Sequence, residues 1–108
     1  MSDLKDLQQR AQEIAEKYNE LTTRKGFNRW GPKDRAMGFV TDVGELMELV
    51  MAKENMRHID DVDARLKHEL ADCLWSILVL AKHYNVDLEK EFLATMDHLE
   101  ARIAKELS

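Results

Sequence analysis

Two pairs of acids stand three residues apart inside the most apolar stretches of the chain. Glu45 and Glu48 lie in Glu-Leu-Met-Glu, and Glu69 and Asp72 in Glu-Leu-Ala-Asp. Residues three apart on a helix are neighbours on one face, so each pair presents two carboxylates side by side. Asp42 lies one further turn back from Glu45. If the two helices pack antiparallel, four to five carboxylates converge on one groove. Two unit charges about 4 Å apart repel by roughly 4 kcal/mol at an effective dielectric near 20, so such a cluster calls for a cation. Hard oxygen donors select Mg²⁺, Mn²⁺ or Ca²⁺, and Mg²⁺ commonly binds substrate phosphates alongside a few carboxylates. A ferritin-like di-iron site is disfavoured, because that chemistry uses Glu-x-x-His on two helices. No Glu stands three residues before His58, His68, His83 or His98.

The elements that must position these acids read as four helices. Leu4, Leu7, Ala11, Ile14, Ala15, Tyr18 and Leu21 form the stripe of an amphipathic helix from about Asp3 to Thr23. Arg24 to Lys33, with two glycines and the only proline, reads as a loop. A second helix runs from about Asp34 to Asn55 and a third from about Val62 to Tyr84, both apolar on more than one side. Asp60, Asp61 and Asp63 are placed to cap the third helix and meet its dipole. Asn85 suits a left-handed helix end and Asp87 a cap for a fourth helix, which carries Leu88, Phe92, Met96, Leu99, Ile103 and Leu107.

The expectation is an all-α four-helix bundle forming a single domain over residues 1–108. The surplus apolar surface of helices two and three predicts a homodimer or a higher oligomer such as a homotetramer. A net charge of −5 argues against broad binding to a nucleic-acid polymer. The longest apolar run, Cys73 to Ala81, is too short for a membrane span. Charges run through the N-terminal segment where a secretory signal would be apolar, and the one cysteine has no internal partner, so a cytoplasmic protein is expected.

Between Arg24 and Arg35 five basic residues, Arg24, Lys25, Arg29, Lys33 and Arg35, alternate with Phe27 and Trp30. The aromatics could stack on a base while the cations hold outer phosphates, or they could seal the end of the bundle, the reading favoured for Phe27. Trp75, three residues beyond Asp72, is read as core. Ser76, one turn past Asp72, is within reach of a ligand. Lys53 and Arg57 could meet phosphate or complement the helix dipole. His68 and His83 read as surface or capping residues, and Cys73 as a buried, unreactive thiol.

Val43-Gly-Glu45-Leu-Met-Glu48 followed by Glu69-Leu-Ala-Asp72, with twenty residues between the halves, resembles the E-x-x-E…E-x-x-D signature of the MazG-like all-α nucleoside triphosphate pyrophosphohydrolases. Trp30, the apolar run after Asp72, Asn85-Val-Asp87-Leu and Met96-Asp97 are similar to members acting on deoxycytidine-type triphosphates. The chain departs from that pattern at Thr41, Ser76, Thr95 and Leu99. The resemblance implies hydrolysis between the α- and β-phosphates of a (deoxy)nucleoside triphosphate, giving monophosphate and pyrophosphate, in nucleotide-pool housecleaning. It implies Glu45, Glu48, Glu69 and Asp72 as ligands of Mg²⁺, with Mn²⁺ as a substitute. Glu45 and Glu48 would be the catalytic pair, with Asp42 also a candidate to activate water. The residues themselves offer Trp30, Asp42, Lys53 and Ser76 for substrate binding. Two alternatives stand beside it: a phosphoribosyl-ATP pyrophosphohydrolase, and a non-catalytic helical interaction module.

Overall fold

The computed structural model describes residues 3–108. It consists of α1 (Leu4–Arg24), α2 (Pro32–Lys53), α3 (Val62–His83) and α4 (Leu88–Leu107). The all-α, four-helix expectation holds. Pro32 occupies the first position of α2, where its fixed φ suits the helix and its missing N–H costs nothing. The helix therefore starts two residues before Asp34, and Arg35 lies at its fourth position.

Three helix ends share one device. After α1, α2 and α3 the chain turns through a left-handed residue, Gly26, Asn55 and Asn85, with φ of 87°, 60° and 56°. At each, two backbone N–H groups fold back onto the last turn, as Phe27 N and Gly26 N do onto Thr22 O and Thr23 O, both at 3.0 Å. These pairs satisfy carbonyls the helix leaves open. At the start of α4, Asp87 Oδ1 accepts from Lys90 N at 3.2 Å, the expected cap. The acids at the start of α3 do something else. Asp61 stands at the N-cap in a left-handed conformation without a side-chain cap bond, Asp60 meets His58 at 2.8 Å and Asp63 meets Lys53 at 2.6 Å.

α3 is the central helix, packed against α2 on one side and α1 on the other. The core joins Ala11 and Ala15 of α1 to Leu78 and Val79 of α3, with Leu4, Trp75 and Leu88 against it. The buried face of α1 is thus Gln8, Ala11, Ala15 and Asn19, whereas Leu7, Tyr18 and Leu21 of the expected stripe are exposed. Small side chains let α1 approach the bulky residues of α3 closely, and the two buried polar residues bond to backbone. Gln8 Nε2 donates to Val86 O at 3.2 Å.

α4 buries no residue and meets the rest of the chain through α1. The molecule is accordingly elongated, with a radius of gyration of 17.2 Å against about 13 Å for a compact domain of this length. Phe92, Met96, Leu99 and Ile103 on α4 are exposed, as are Val40, Met47 and Val50 on α2 and Leu70, Leu74 and Ile77 on α3. No helix of the described residues is long and apolar enough to cross a membrane.

Candidate active site

Facing turns of α2 and α3 bring Asp42, Glu69 and Asp72 together, one carboxylate oxygen of each lying within 4.8 Å of the others. Glu69 is only 6% exposed. Its Oε1 is fully buried without a hydrogen-bond partner among the described residues. Burial, the charge of Asp42, contact with the Glu45 carboxyl, and the charges of Glu45 and Asp72 push Glu69 up to about 7. Asp42 is raised as well, by burial and then by the charges of Asp72 and Glu45. An orphaned carboxylate oxygen beside two further carboxylates is unfavourable without a positive partner. The set offers only hard oxygen donors, the chemistry that suits Mg²⁺ or Mn²⁺.

The carboxylates stand where two cavities meet. The first, about 500 Å³, is lined by Asp42, Asp72 and Ser76 together with Tyr18, Trp30, Arg35 and Trp75. The second, about 640 Å³, is lined by Glu45, Glu48, Arg65, His68, Glu69 and Asp72. Asp72 borders both. One compartment is aromatic and the other is acid-lined.

The aromatic compartment is built with care for its two indoles. Trp75 donates its Nε1–H to Ala11 O at 3.0 Å, which fixes the ring near Tyr18, centroids 5.7 Å apart. Trp30 is held through its backbone by buried Asn19, whose Nδ2 donates to Trp30 O at 3.1 Å and whose Oδ1 accepts from Trp30 N at 2.8 Å. Gly38 leaves room for the Trp30 ring, because a Cβ there would lie 3.0 Å from the ring's Cζ3.

The sequence pattern of the MazG nucleotide pyrophosphohydrolase domain matches residues 36–105, about two thirds of the chain. The chain belongs to this family. The MazG match contains all five acids, Asp42, Glu45, Glu48, Glu69 and Asp72, and carries nucleotide pyrophosphohydrolysis as its general activity. It begins one residue after Arg35, so Tyr18, Asn19, Trp30 and Arg35 lie outside it. No curated protein and no solved structure matches the chain.

In this MazG-family chain the site residues read from the sequence fall into three places. Asp42, Glu69 and Asp72 converge, with Glu45 against Glu69. Glu48 lines the acid-lined cavity and forms an ion pair with Arg57 at 3.2 Å. Trp30 and Ser76 line the aromatic cavity, whereas Lys53 is engaged by Asp63 at 2.6 Å. Asp63, in turn, is held below the usual carboxylate range by its bond to Lys53.

One reading is corrected and two are extended. Phe27 is 70% exposed and seals nothing. Trp75 packs on the core but also borders the aromatic cavity. His68 is exposed yet reaches Asp72 Oδ2 at 3.2 Å, i to i+4 along α3. Cys73 is buried, and burial and then Glu69 push its thiol up, which leaves it a packing residue. Asn19 and Gly38 also shape the site, through the Trp30 backbone and ring. Asn19 continues the Ala11, Ala15 spacing, and a polar residue in a small-residue stripe is the available signal.

Proposed function

We propose that the chain hydrolyses (deoxy)nucleoside triphosphates between the α- and β-phosphates in a Mg²⁺-dependent reaction, with Mn²⁺ as a substitute, and serves nucleotide-pool housecleaning. The observation that carries this reading is the position of the carboxylate cluster on the shared wall of the two cavities. The nucleoside lies in the aromatic compartment, and the phosphate chain passes Asp72 into the acid-lined one. Glu45, Glu48, Glu69 and Asp72, joined by Asp42, hold the cation. When bound, it neutralises charge between carboxylates and phosphates and polarises the phosphorus under attack. Glu45 and Glu48 orient the attacking water, and one of the two carboxylates takes the proton it loses. Its oxygen forms a bond to the α-phosphorus, the bridging α–β P–O bond breaks, and pyrophosphate leaves.

Trp30 and Ser76 contact the nucleoside, and Lys53, released from Asp63, meets the outgoing pyrophosphate. The exposed apolar faces of α2, α3 and α4 are covered in a homodimer or homotetramer. Pyrophosphate release from a panel of canonical and modified triphosphates, with Mg²⁺ and with EDTA, tests the reading. Mg²⁺-dependent release of pyrophosphate and monophosphate in equal amounts supports it, and release of orthophosphate, or of nothing, contradicts it.

A further inference from the structure

Arg35 is the most unusual residue of the aromatic compartment. It is 8% exposed. No carboxylate of the described residues lies within ion-pair distance, and its guanidinium makes no hydrogen bond among them. It also stands near the N-terminus of α2, the positive end of the helix dipole. Arginine is rarely buried without a partner, since removal of its charge from water is costly. Burial lowers its pKa, but a guanidinium still stays protonated.

What holds it is aromatic. The guanidinium carbon lies 4.5 Å from the centroid of Trp75 and 5.3 Å from that of Trp30. Cation–π contact takes up none of the five N–H donors, which stay without a hydrogen-bond partner among the described residues. Glu69 Oε1 alone among the described residues is a fully buried side-chain oxygen or nitrogen without a partner. The unbonded nitrogens of Arg35 are therefore not sealed off, and Arg35 lines both the aromatic cavity and a smaller one of about 130 Å³ on the side of Arg29 and His83.

The other polar groups at this end give little direction. The amide of Asn19 is spent on the Trp30 backbone, and the hydroxyls of Thr22 and Ser76 can donate or accept. Arg35 supplies donors only, in a planar fork. It lies seven residues before Asp42 on α2, two helical turns or about 10 Å along the axis. A nucleotide with its α-phosphate at the carboxylates extends its base over such a span.

Resting on the nucleotide pyrophosphohydrolase reading, we propose that Arg35, held against Trp75 and Trp30, reads the nucleobase and selects bases with two adjacent acceptors. Cytosine offers O2 and N3, and guanine offers O6 and N7. Adenine and thymine place a donor beside the acceptor along the corresponding edges, so one arm of the fork meets an N–H. A guanidinium on paired acceptors is the most common specific contact of proteins with guanine.

The test compares kcat/KM for dCTP, dGTP, dATP and dTTP in the wild type, Arg35→Met and Arg35→Lys. The wild type is expected to favour dCTP or dGTP over dATP and dTTP by about ten-fold or more, the discrimination a good bidentate pair gives. Arg35→Met keeps the apolar stem and flattens the profile by losing the favoured substrates selectively. Arg35→Lys, without the planar fork, does not restore it. A wild-type preference for dATP or dTTP overturns the proposal, whatever the variants do. So does an equal loss on all four bases, which marks Arg35 as a phosphate or purely structural contact.

Trp30 and Trp75 are the only tryptophans in the chain, so their fluorescence reports nucleoside binding without phosphate, Mg²⁺ or turnover. Stronger quenching by deoxycytidine or deoxyguanosine than by deoxyadenosine or thymidine, lost in Arg35→Met, supports base reading even if no triphosphate is hydrolysed. Hydrolysis with an Arg35-independent base preference leaves the activity standing and overturns base reading.

Discussion

Asn19 holds Trp30 at both ends of its backbone, accepting from the N–H at 2.8 Å and donating to the carbonyl at 3.1 Å. One buried side chain in α1 thereby fixes a loop aromatic that lies outside the helices carrying the acids. Asn19→Leu leaves two backbone groups without partners, a loss of about 1–3 kcal/mol for each that stays buried. Urea unfolding should show a lower midpoint, and KM for the triphosphate should rise more than kcat falls, because the carboxylates are untouched.

Gly38 gives a prediction with two signs. In an exposed helix interior Gly→Ala gains about 1 kcal/mol from propensity alone. Here the new Cβ would sit 3.0 Å from the Trp30 ring. Gly38→Ala should therefore displace Trp30 and weaken substrate binding while α2 itself is strengthened. Equilibrium unfolding and KM measured together check this: raised or unchanged stability with raised KM is the expected pattern.

Glu69 sets a pH dependence for the metal-free protein. Its carboxyl is pushed from 4.5 up to about 7 in the folded chain. The folded state thus holds this proton more tightly than the unfolded state. The stabilisation is complete below the unfolded value and is lost as pH rises through about 7. In EDTA the urea midpoint should fall across that window, and Glu69→Gln should flatten the fall. Saturating Mg²⁺ should raise the midpoint most at the alkaline end, where the carboxylates are charged.

Much of this arrangement is legible in the sequence because it follows from periodicity. The three-residue spacing of Glu45 and Glu48, and of Glu69 and Asp72, places each pair on one helix face, and Asn85 and Asp87 mark a helix end and start that the structure reproduces. Other features depend on packing partners. Leu7, Tyr18 and Leu21 look like the core face of α1, but contact with α3 selects Ala11 and Ala15 for their small size. Glu48 is drawn to Arg57 by the path of the α2–α3 connection, which spacing does not encode. Arg35 reads as one of five basic residues free to meet phosphates, whereas Pro32 opens a helix that buries Arg35 against two indoles.

The apolar face of α4 also has a measurable consequence. Phe92, Met96, Leu99 and Ile103 are exposed in the single chain. Sedimentation at micromolar concentration should give a mass of two or four chains, and Met96→Glu combined with Ile103→Glu should reduce it. A wild-type mass of 12.6 kDa would contradict the assembly.

The most direct measurement is anomalous scattering from Mn²⁺ in crystals grown with a non-hydrolysable triphosphate analogue. The expected result is a Mn²⁺ peak among the carboxylates of Asp42, Glu69 and Asp72, absent in the Asp72→Asn variant, which also loses turnover by at least about 100-fold. Mn²⁺ bound elsewhere, with these three side chains free of metal and phosphate, would contradict the central claim.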